Sequence, residues 1–518
     1  MGASKLFTPL HLLLIFGGTF LAYILCTLVH RLALGPLARF PGPKLAAATR
    51  WYEFYFDVVK EGQFMFEIER MHERYGPVVR ISAFELHIKD PDFYNTLYSG
   101  PLHKREKYSW FVSAQAPGTT FAASGHGHHR ARRGILASFF SKQSIRAFEP
   151  DIIRRIDSVC WHLENAMKRG KAIELHNLFI NFAVDTVSLF AFGPRYCFNT
   201  LDYPVLTDMW KKGVNSIFET LILLRHLPFL YTVSRYFPAW ICCLIQAQYR
   251  NIKPVEEAIE ERMTELFNSR KAQVWDKSIF ASILQDDGKH PSTETTLPRL
   301  IDEAKFLLVA GTDAPSQVMA ITLFHVLRNP RVHARLKDEL TQALPRAAMT
   351  PSWQEMEKLP YLSAVIKEGL RLSAVVTSRL PRIAPDETLY CNGWEIPPGT
   401  PVSMSTHFIL RNPAIVPRPM EFWPERWEAN PQLERYLVPF SKGSQACLGP
   451  SMAYCWLNLV LATVLRRFRL ELFDTSENNV ATVRDCFNGQ TAPGQNCIQV
   501  KVLGCQAPTN TLTSDQVG

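Results

Sequence analysis

Residues 10–29 are almost unbroken apolar sequence, interrupted only by His11, small residues and threonines, and this stretch constrains the fold first. Twenty residues rising about 1.5 Å each span about 30 Å, the thickness of one hydrocarbon core. A lone segment in lipid satisfies its own backbone only as a helix. Lys5 precedes the stretch, and Arg31, Arg39 and Lys44 come after it. That asymmetry places the large C-terminal part of the chain on the cytosolic side. A cleaved signal peptide would have a shorter apolar region and a small-residue cleavage site, so residues 1–34 read as an uncleaved anchor. Prolines at 36, 41 and 43 and glycines at 35 and 42 make residues 35–50 a stiff hinge. Residues 51–505 then form one large domain, with a flexible tail at 506–518.

Composition narrows the class of that domain. Apolar residues make up 47% and charged residues 20%, a globular balance rather than a disordered one. The net charge of +9 is spread along the chain without a lysine–arginine block, which argues against a nucleic-acid surface. Eleven cysteines are scattered and odd in number, so they do not read as a disulfide framework. No N-x-[ST] sequon occurs, which agrees with a cytosolic face. Helical periods dominate at 152–167, 254–267, 300–327 and 456–468, and strand-like runs are confined to 78–88 and 383–402. Residues 285–298 are polar and read as a surface connection. The expected fold is mainly α with a small β region.

The chemistry concentrates around Cys447. Phe440, Gly443, Gln445 and Gly449 surround it, and an apolar helix over 451–468 comes at once after it. A thiol just ahead of a helix sits among unpaired N–H groups at the positive end of the dipole, which lowers its pKa. Glycines let the backbone approach a flat cofactor. Iron accepts such a thiolate as an axial ligand. The loop resembles the cysteine loop of the cytochrome P-450 family, and the likeness runs from Phe40 to Val502 with further motifs in family order.

That resemblance implies a haem b cofactor with its iron on Cys447, and roles for other residues. Glu368 and Arg371 form a helical i, i+3 pair, which with Arg426 implies the family's buried Glu–Arg–Arg network. Ala310, Gly311 and Asp313 lie on the helix that runs over the distal haem face, with Ala310 and Gly311 leaving room for dioxygen. His129 and Arg133, and by spacing Arg382 and His407, are the implied propionate partners; Phe440 and Gly443 complete the cofactor loop. Trp110, Phe111, Phe218, Leu221, Phe306, Val375 and Phe487 are candidate pocket residues. Two departures stand out. Gln445 replaces the arginine that grips a propionate, and Ala314 replaces the threonine that aids protonation. Thr312 and Ser316 lie about 200° around the helix from residue 314, so neither shares its face. Pro315 has no N–H for the Gly311 carbonyl, so the helix is expected to open there, with Asp313 feeding protons to a water in the gap.

The implied activity is a monooxygenase that inserts one atom of O2 into a lipophilic small molecule, a terpenoid or other secondary metabolite in view of its fungal-style motifs. Electrons would come from NADPH through a membrane-bound NADPH–haemoprotein reductase, with cytochrome b5 as an additional candidate donor. The implied location is the endoplasmic reticulum membrane, single-pass, catalytic domain to the cytosol. Ala314 and Gln445 keep two alternatives open: a haem-thiolate isomerase or dehydratase that needs no reductase, and a non-catalytic haem-binding protein.

Overall fold

The computed structural model describes residues 9–234, 236–269, 278–285 and 290–506. Most of the expected tail, 506–518, and part of the 285–298 connection therefore lie outside the described residues.

The anchor segment is a helix, Pro9–Val29, continued by a π turn, His30–Leu34. None of the residues in the most apolar stretch of Leu12–Leu34 is buried in the protein, so the leucines and phenylalanines there are left for lipid. Two other helices have the length and composition of a span, Leu175–Phe192 and Leu297–Arg328, but both are largely packed inside the domain.

One side chain gathers much of the hinge. Arg80 donates through its guanidinium to the carbonyls of Arg31 (2.7 Å), Leu37 (3.2 Å) and Ala47 (3.4 Å) on the anchor side. The same group donates to Ser82 (3.2 Å) and Ala83 (2.9 Å) on the domain side. A buried cation is tolerated when carbonyls saturate its donors, and Arg fits because its five N–H groups spread in a plane. Gly42 is required beside it, because a Cβ would collide with the Arg80 carbonyl oxygen.

The main core is built largely from the helices Lys142–Lys168, Leu175–Phe192, Leu297–Arg328, Pro360–Ser373 and Pro450–Arg467, with Pro330–Ala343 packed against them. Trp456, Phe179, Phe182 and Phe324 fill the space between them and are almost fully buried. Leu297–Arg328 is the axis of the domain. It crosses Leu175–Phe192 at Gly311, where a Cβ would meet Val187 at 2.8 Å, and crosses Pro360–Ser373 where Gly369 meets Thr322. The helix runs unbroken through Pro315, so the opening expected beside Gly311 does not form. Packing on both sides holds the turn closed although the Gly311 carbonyl lacks its usual donor.

The sheet region is small. Five short strands lie in the order Val78–Arg80, Leu86–Ile88, Pro401–Ser403, Arg382–Ile383, Glu106–Lys107. Only the Leu86–Val402 pairing is parallel; the others are antiparallel. The last two strands carry Arg382 and Lys107 edge to edge, and this pairing sets up the site.

Candidate active site

A cavity of about 530 Å³ lies between the central helix Leu297–Arg328 and the loop that precedes Pro450–Arg467. Cys447 stands in its wall opposite Ala310, Gly311, Ala314 and Pro315. The loop is drawn tight. The Cys447 N–H donates to the Phe440 carbonyl at 2.9 Å, and the Gly449 N–H donates to Cys447 Sγ at 3.3 Å. Cys447 is deep in the protein, yet its sulfur is uncovered because it opens onto this internal space. Burial pushes its thiol up, against the pull of the Gly449 N–H and of Arg133. The lowered thiol pKa expected from the helix start is therefore not a property of the protein alone. Desolvation outweighs the dipole, and a bound metal cation is what would hold the sulfur as thiolate.

Gly443 does not approach the cavity. Its φ is +77°, and a Cβ would collide with the Ser99 and Tyr98 carbonyl oxygens. It is there so that the loop can lie against residues 98–99, which corrects the expected cofactor contact. Phe440 does line the cavity.

Cations gather on one side. His129, Arg133 and Arg382 all line the cavity, joined by Lys107. Lys107 Nζ donates to the carbonyls of Phe121 (2.7 Å), Thr120 (3.3 Å) and Ala123 (3.4 Å). Burial, with Arg382 and Arg133 nearby, pulls its ammonium down to about 6. Burial, then Lys107 and Arg133, takes His129 down to about 3. Arg133 donates to the Ala446 carbonyl at 2.6 Å, and Arg382 to the Pro381 carbonyl at 3.0 Å. Among the described residues no carboxylate forms an ion pair with Lys107, Arg133 or Arg382. Gln445 turns its amide nitrogen to the Arg105 carbonyl at 2.7 Å, and its Oε1 is buried without a partner. A cradle of buried like charges is costly unless an anionic guest completes it. Two carboxylates on a flat apolar body, set over a thiol, complete it, so the residues fit haem.

Lys107 escaped sequence reasoning because it ends a run of charged residues, His103 to Lys107, that looks like a solvated face. His407 is the opposite case. Its Nε2 meets Arg411 at 3.2 Å, and it does not line the cavity. The spacing that suggested a propionate partner does not set the ring's direction, so that expectation is corrected.

The three-residue network is brought together. Glu368 takes Arg371 on both oxygens (2.9 and 2.8 Å) and Arg426 Nε on Oε1 (3.1 Å). Trp427 Nε1 (3.0 Å) and the Trp423 N–H (2.9 Å) donate to the same carboxylate. The outer donors of the two arginines go to carbonyls of residues 410–421, among them Pro419 (2.7 Å) and Pro417 (2.6 Å). This bundle pins the segment leading to the Cys447 loop.

On the far wall, Asp313 turns away from the cavity. It is fully buried behind the helix, with Oδ2 accepting from Asn488 (2.7 Å) and Gln317 (2.8 Å). It cannot touch a cavity water directly, which corrects the expected contact; the Asn488 amide stands between. Thr312 and Ser316 are also buried off the cavity, and Ser316 Oγ donates to the Thr312 carbonyl at 2.5 Å. Ala314 alone of these faces it.

Phe218, Leu221, Phe306, Val375 and Phe487 line the cavity, whereas Trp110 and Phe111 do not. Trp110 packs on His226 and Phe111 lies under Arg225, outside the cavity lining. Phe487 is at a hairpin tip with φ +79°, a left-handed conformation costing about 1–3 kcal/mol for such a residue. Its N–H donates to Asp485 at 3.1 Å, and its carbonyl accepts from Thr377 (3.1 Å) and Ser378 (3.2 Å), so the strain is held in place. The ring is thereby stacked over Phe218, 6.2 Å between centroids.

A thiol in an apolar, cation-edged cavity, faced by the small residues Ala310, Gly311 and Ala314 of the central helix, has the donor set of a haem-thiolate oxygenase. The chain belongs to the cytochrome P-450 family, whose profile matches residues 47–487. It is 38% identical to the tryptophan 6-hydroxylase of Fusarium equiseti over 469 residues, covering 89% of this chain and 91% of that one. It is 36% identical to the conidiogenone synthase of Penicillium rubens, with 92% and 95% covered. A cytochrome P-450 monooxygenase of Ascocoryne sarcoides matches at 35%, with 95% and 99% covered. The chain is thus a haem-thiolate monooxygenase of the kind found in fungal secondary metabolism, acting on small molecules and bearing an N-terminal helix suited to membrane anchoring.

Proposed function

We propose that Cys447 is the iron ligand and that Lys107, Arg133, Arg382 and His129 receive the propionates of haem b. Bound there, haem supplies the activation of dioxygen. The substrate is a lipophilic small molecule, a terpenoid or related secondary metabolite, held by Phe218, Phe306 and Phe487. The observation that carries this reading is the uncovered Cys447 sulfur in an apolar cavity whose lining includes Lys107, Arg133 and Arg382, none of them ion-paired to a carboxylate among the described residues. Electrons come from NADPH through a membrane-bound NADPH–haemoprotein reductase, with cytochrome b5 a second candidate donor. The positive residues after the anchor support a single-pass endoplasmic reticulum protein with its catalytic domain in the cytosol.

Asp313 is the internal acid of this reading. Ala314 brings no hydroxyl to the cavity, so protons reach a cavity water past the Asn488 amide, which must swing aside to let the carboxyl through.

The deciding experiment is Cys447→Ser. It should abolish the red-shifted band of the reduced carbonyl complex, while serine at any of the other ten cysteines preserves it. An unchanged band would place the iron elsewhere. NADPH- and oxygen-dependent conversion of a terpenoid library by the reconstituted enzyme then identifies the substrate.

A further inference from the structure

Asp313 lies between two cavities. On one side is Asn488, which bonds its Oδ2 at 2.7 Å and lines the large cavity. On the other is a small cavity of about 20 Å³, lined among others by His176, Gln317, Gln490 and Asn496. That volume suits about one water, and the lining offers the polar partners a buried water requires. Three atoms of this neighbourhood are buried without a hydrogen-bond partner: Asp313 Oδ1, His176 Nε2 and Gln490 Nε2. Buried polar atoms are seldom left so, and three together mark a place where something hydrogen-bonds. Two of them face each other, Asp313 Oδ1 and His176 Nε2, 3.7 Å apart.

The hydrogens can be assigned. His176 Nδ1 lies 3.0 Å from the side-chain oxygen of Asn496, so Nδ1 carries the hydrogen and Nε2 holds a lone pair. Burial raises the Asp313 carboxyl and pulls His176 down to about 3, so burial disfavours the charged form of each. Asp313 Oδ2 already accepts two amide donors, so a proton on this carboxyl belongs on Oδ1, facing the imidazole lone pair. The Lys211 ammonium, tied to Glu174 (2.9 Å) and the Asn496 carbonyl (2.6 Å), adds to burial in disfavouring a lasting imidazolium.

We propose that His176 is a solvent-side inlet that reloads Asp313 with protons. It rests on the reading of Asp313 as the internal acid. When the Asp313 carboxyl has given its proton to the large cavity, His176 Nε2 takes one from the water of the small cavity and passes it to Oδ1, and that water regains a proton from solvent past the half-buried Asn479, Thr482 and Thr491 that line the same cavity. One proton enters, one leaves, and both side chains return to their neutral forms without any other reactant. A fleeting imidazolium suffices, because the fresh carboxylate beside it stabilises the cation only while the proton is missing. His176 acts through Asp313 and is a positioning residue.

The test uses full-length, haem-loaded enzyme with NADPH–haemoprotein reductase. Oxygen consumption is followed in H2O and D2O and requires no substrate. His176→Phe should slow it about tenfold and raise the solvent isotope effect, and His176→Gln, which keeps hydrogen bonding but cannot shuttle, should not rescue it. Infrared spectra give a readout free of turnover. The carbonyl stretch of a protonated carboxylic acid should be present in the wild type, absent in Asp313→Asn and displaced in His176→Phe. Wild-type rate and isotope effect in His176→Phe, or full rescue by glutamine, would overturn the inlet. Should the phenylalanine variant fail to fold, the glutamine variant carries the same comparison. If Asp313→Asn is also silent, the internal-acid reading falls; if Asp313→Asn is slow and His176→Phe is not, only the inlet does.

Discussion

Two buried charge clusters flank the Cys447 loop, and they are built on opposite principles. Around Glu368, one carboxylate meets two guanidiniums, and every remaining donor finds a carbonyl. Around Lys107, four basic side chains crowd one edge of a cavity with no carboxylate among the described residues to answer them. The first cluster is complete, so it can only hold structure together. The second lacks a counter-charge, and an incomplete charge set inside a protein specifies a guest. Charge balance separates scaffold from site here better than burial does, since Glu368, Arg371 and Arg382 are all buried.

The sharpest break of this contrast is Glu368→Ala. It strands two buried guanidiniums, at a cost of about 3–5 kcal/mol, and should leave no folded holoprotein. Recovery of normal haem content after expression would show the network to be dispensable. Arg382→Ala should do the reverse. It relieves repulsion among like charges, so thermal unfolding of the apoprotein should shift little or upward, while haem dissociates about a hundredfold faster. A loss of apoprotein stability without a change in haem release would make Arg382 scaffold rather than cradle.

Third in size is a pH effect. The Lys107 ammonium, held down to about 6 by burial and by Arg382 and Arg133, regains its ordinary range when carboxylates arrive beside it. Lys107 then takes up a proton, so its contribution to haem affinity is greatest below about 6 and falls as pH rises above it, while the Cys447 thiol gives one up on becoming the ligand. Calorimetric titration of apoprotein at pH 8 in two buffers of different ionisation enthalpy measures the balance. The two should nearly cancel in the wild type and leave a net release of about one proton in Lys107→Met. The smallest effect is Gln445→Arg, which restores a cation to the loop. Haem release should slow only a few-fold, because Lys107 already stands at that edge; a slowing as large as the Arg382 effect would mean Lys107 contributes nothing.

The sequence made one of these clusters far more legible than the other. Glu368 and Arg371 share a helix face by spacing alone, and Cys447 announces itself by its glycines and the helix behind it. Those signals are local. Lys107 becomes a site residue only because its two-residue strand pairs with the one carrying Arg382, a contact 275 positions away along the chain. The orientation of Asp313 was hidden for a different reason. Its helical phase was readable, but whether Pro315 would open the turn depended on how tightly Leu175–Phe192 packs against Gly311. His407 failed because spacing locates a Cα and not the direction of a ring. Trp110 and Phe111 failed because aromatic residues near a pocket also build the layer above it.

The Arg80 joint has a consequence for encounter geometry. With five carbonyls drawn from both sides of the hinge onto one guanidinium, the domain has no free swivel about its anchor. Height and tilt above the bilayer are then fixed once the anchor is inserted. Any partner held in the same bilayer would then search a plane and a single azimuth rather than three dimensions and three rotations, with the domain presented to it at constant altitude.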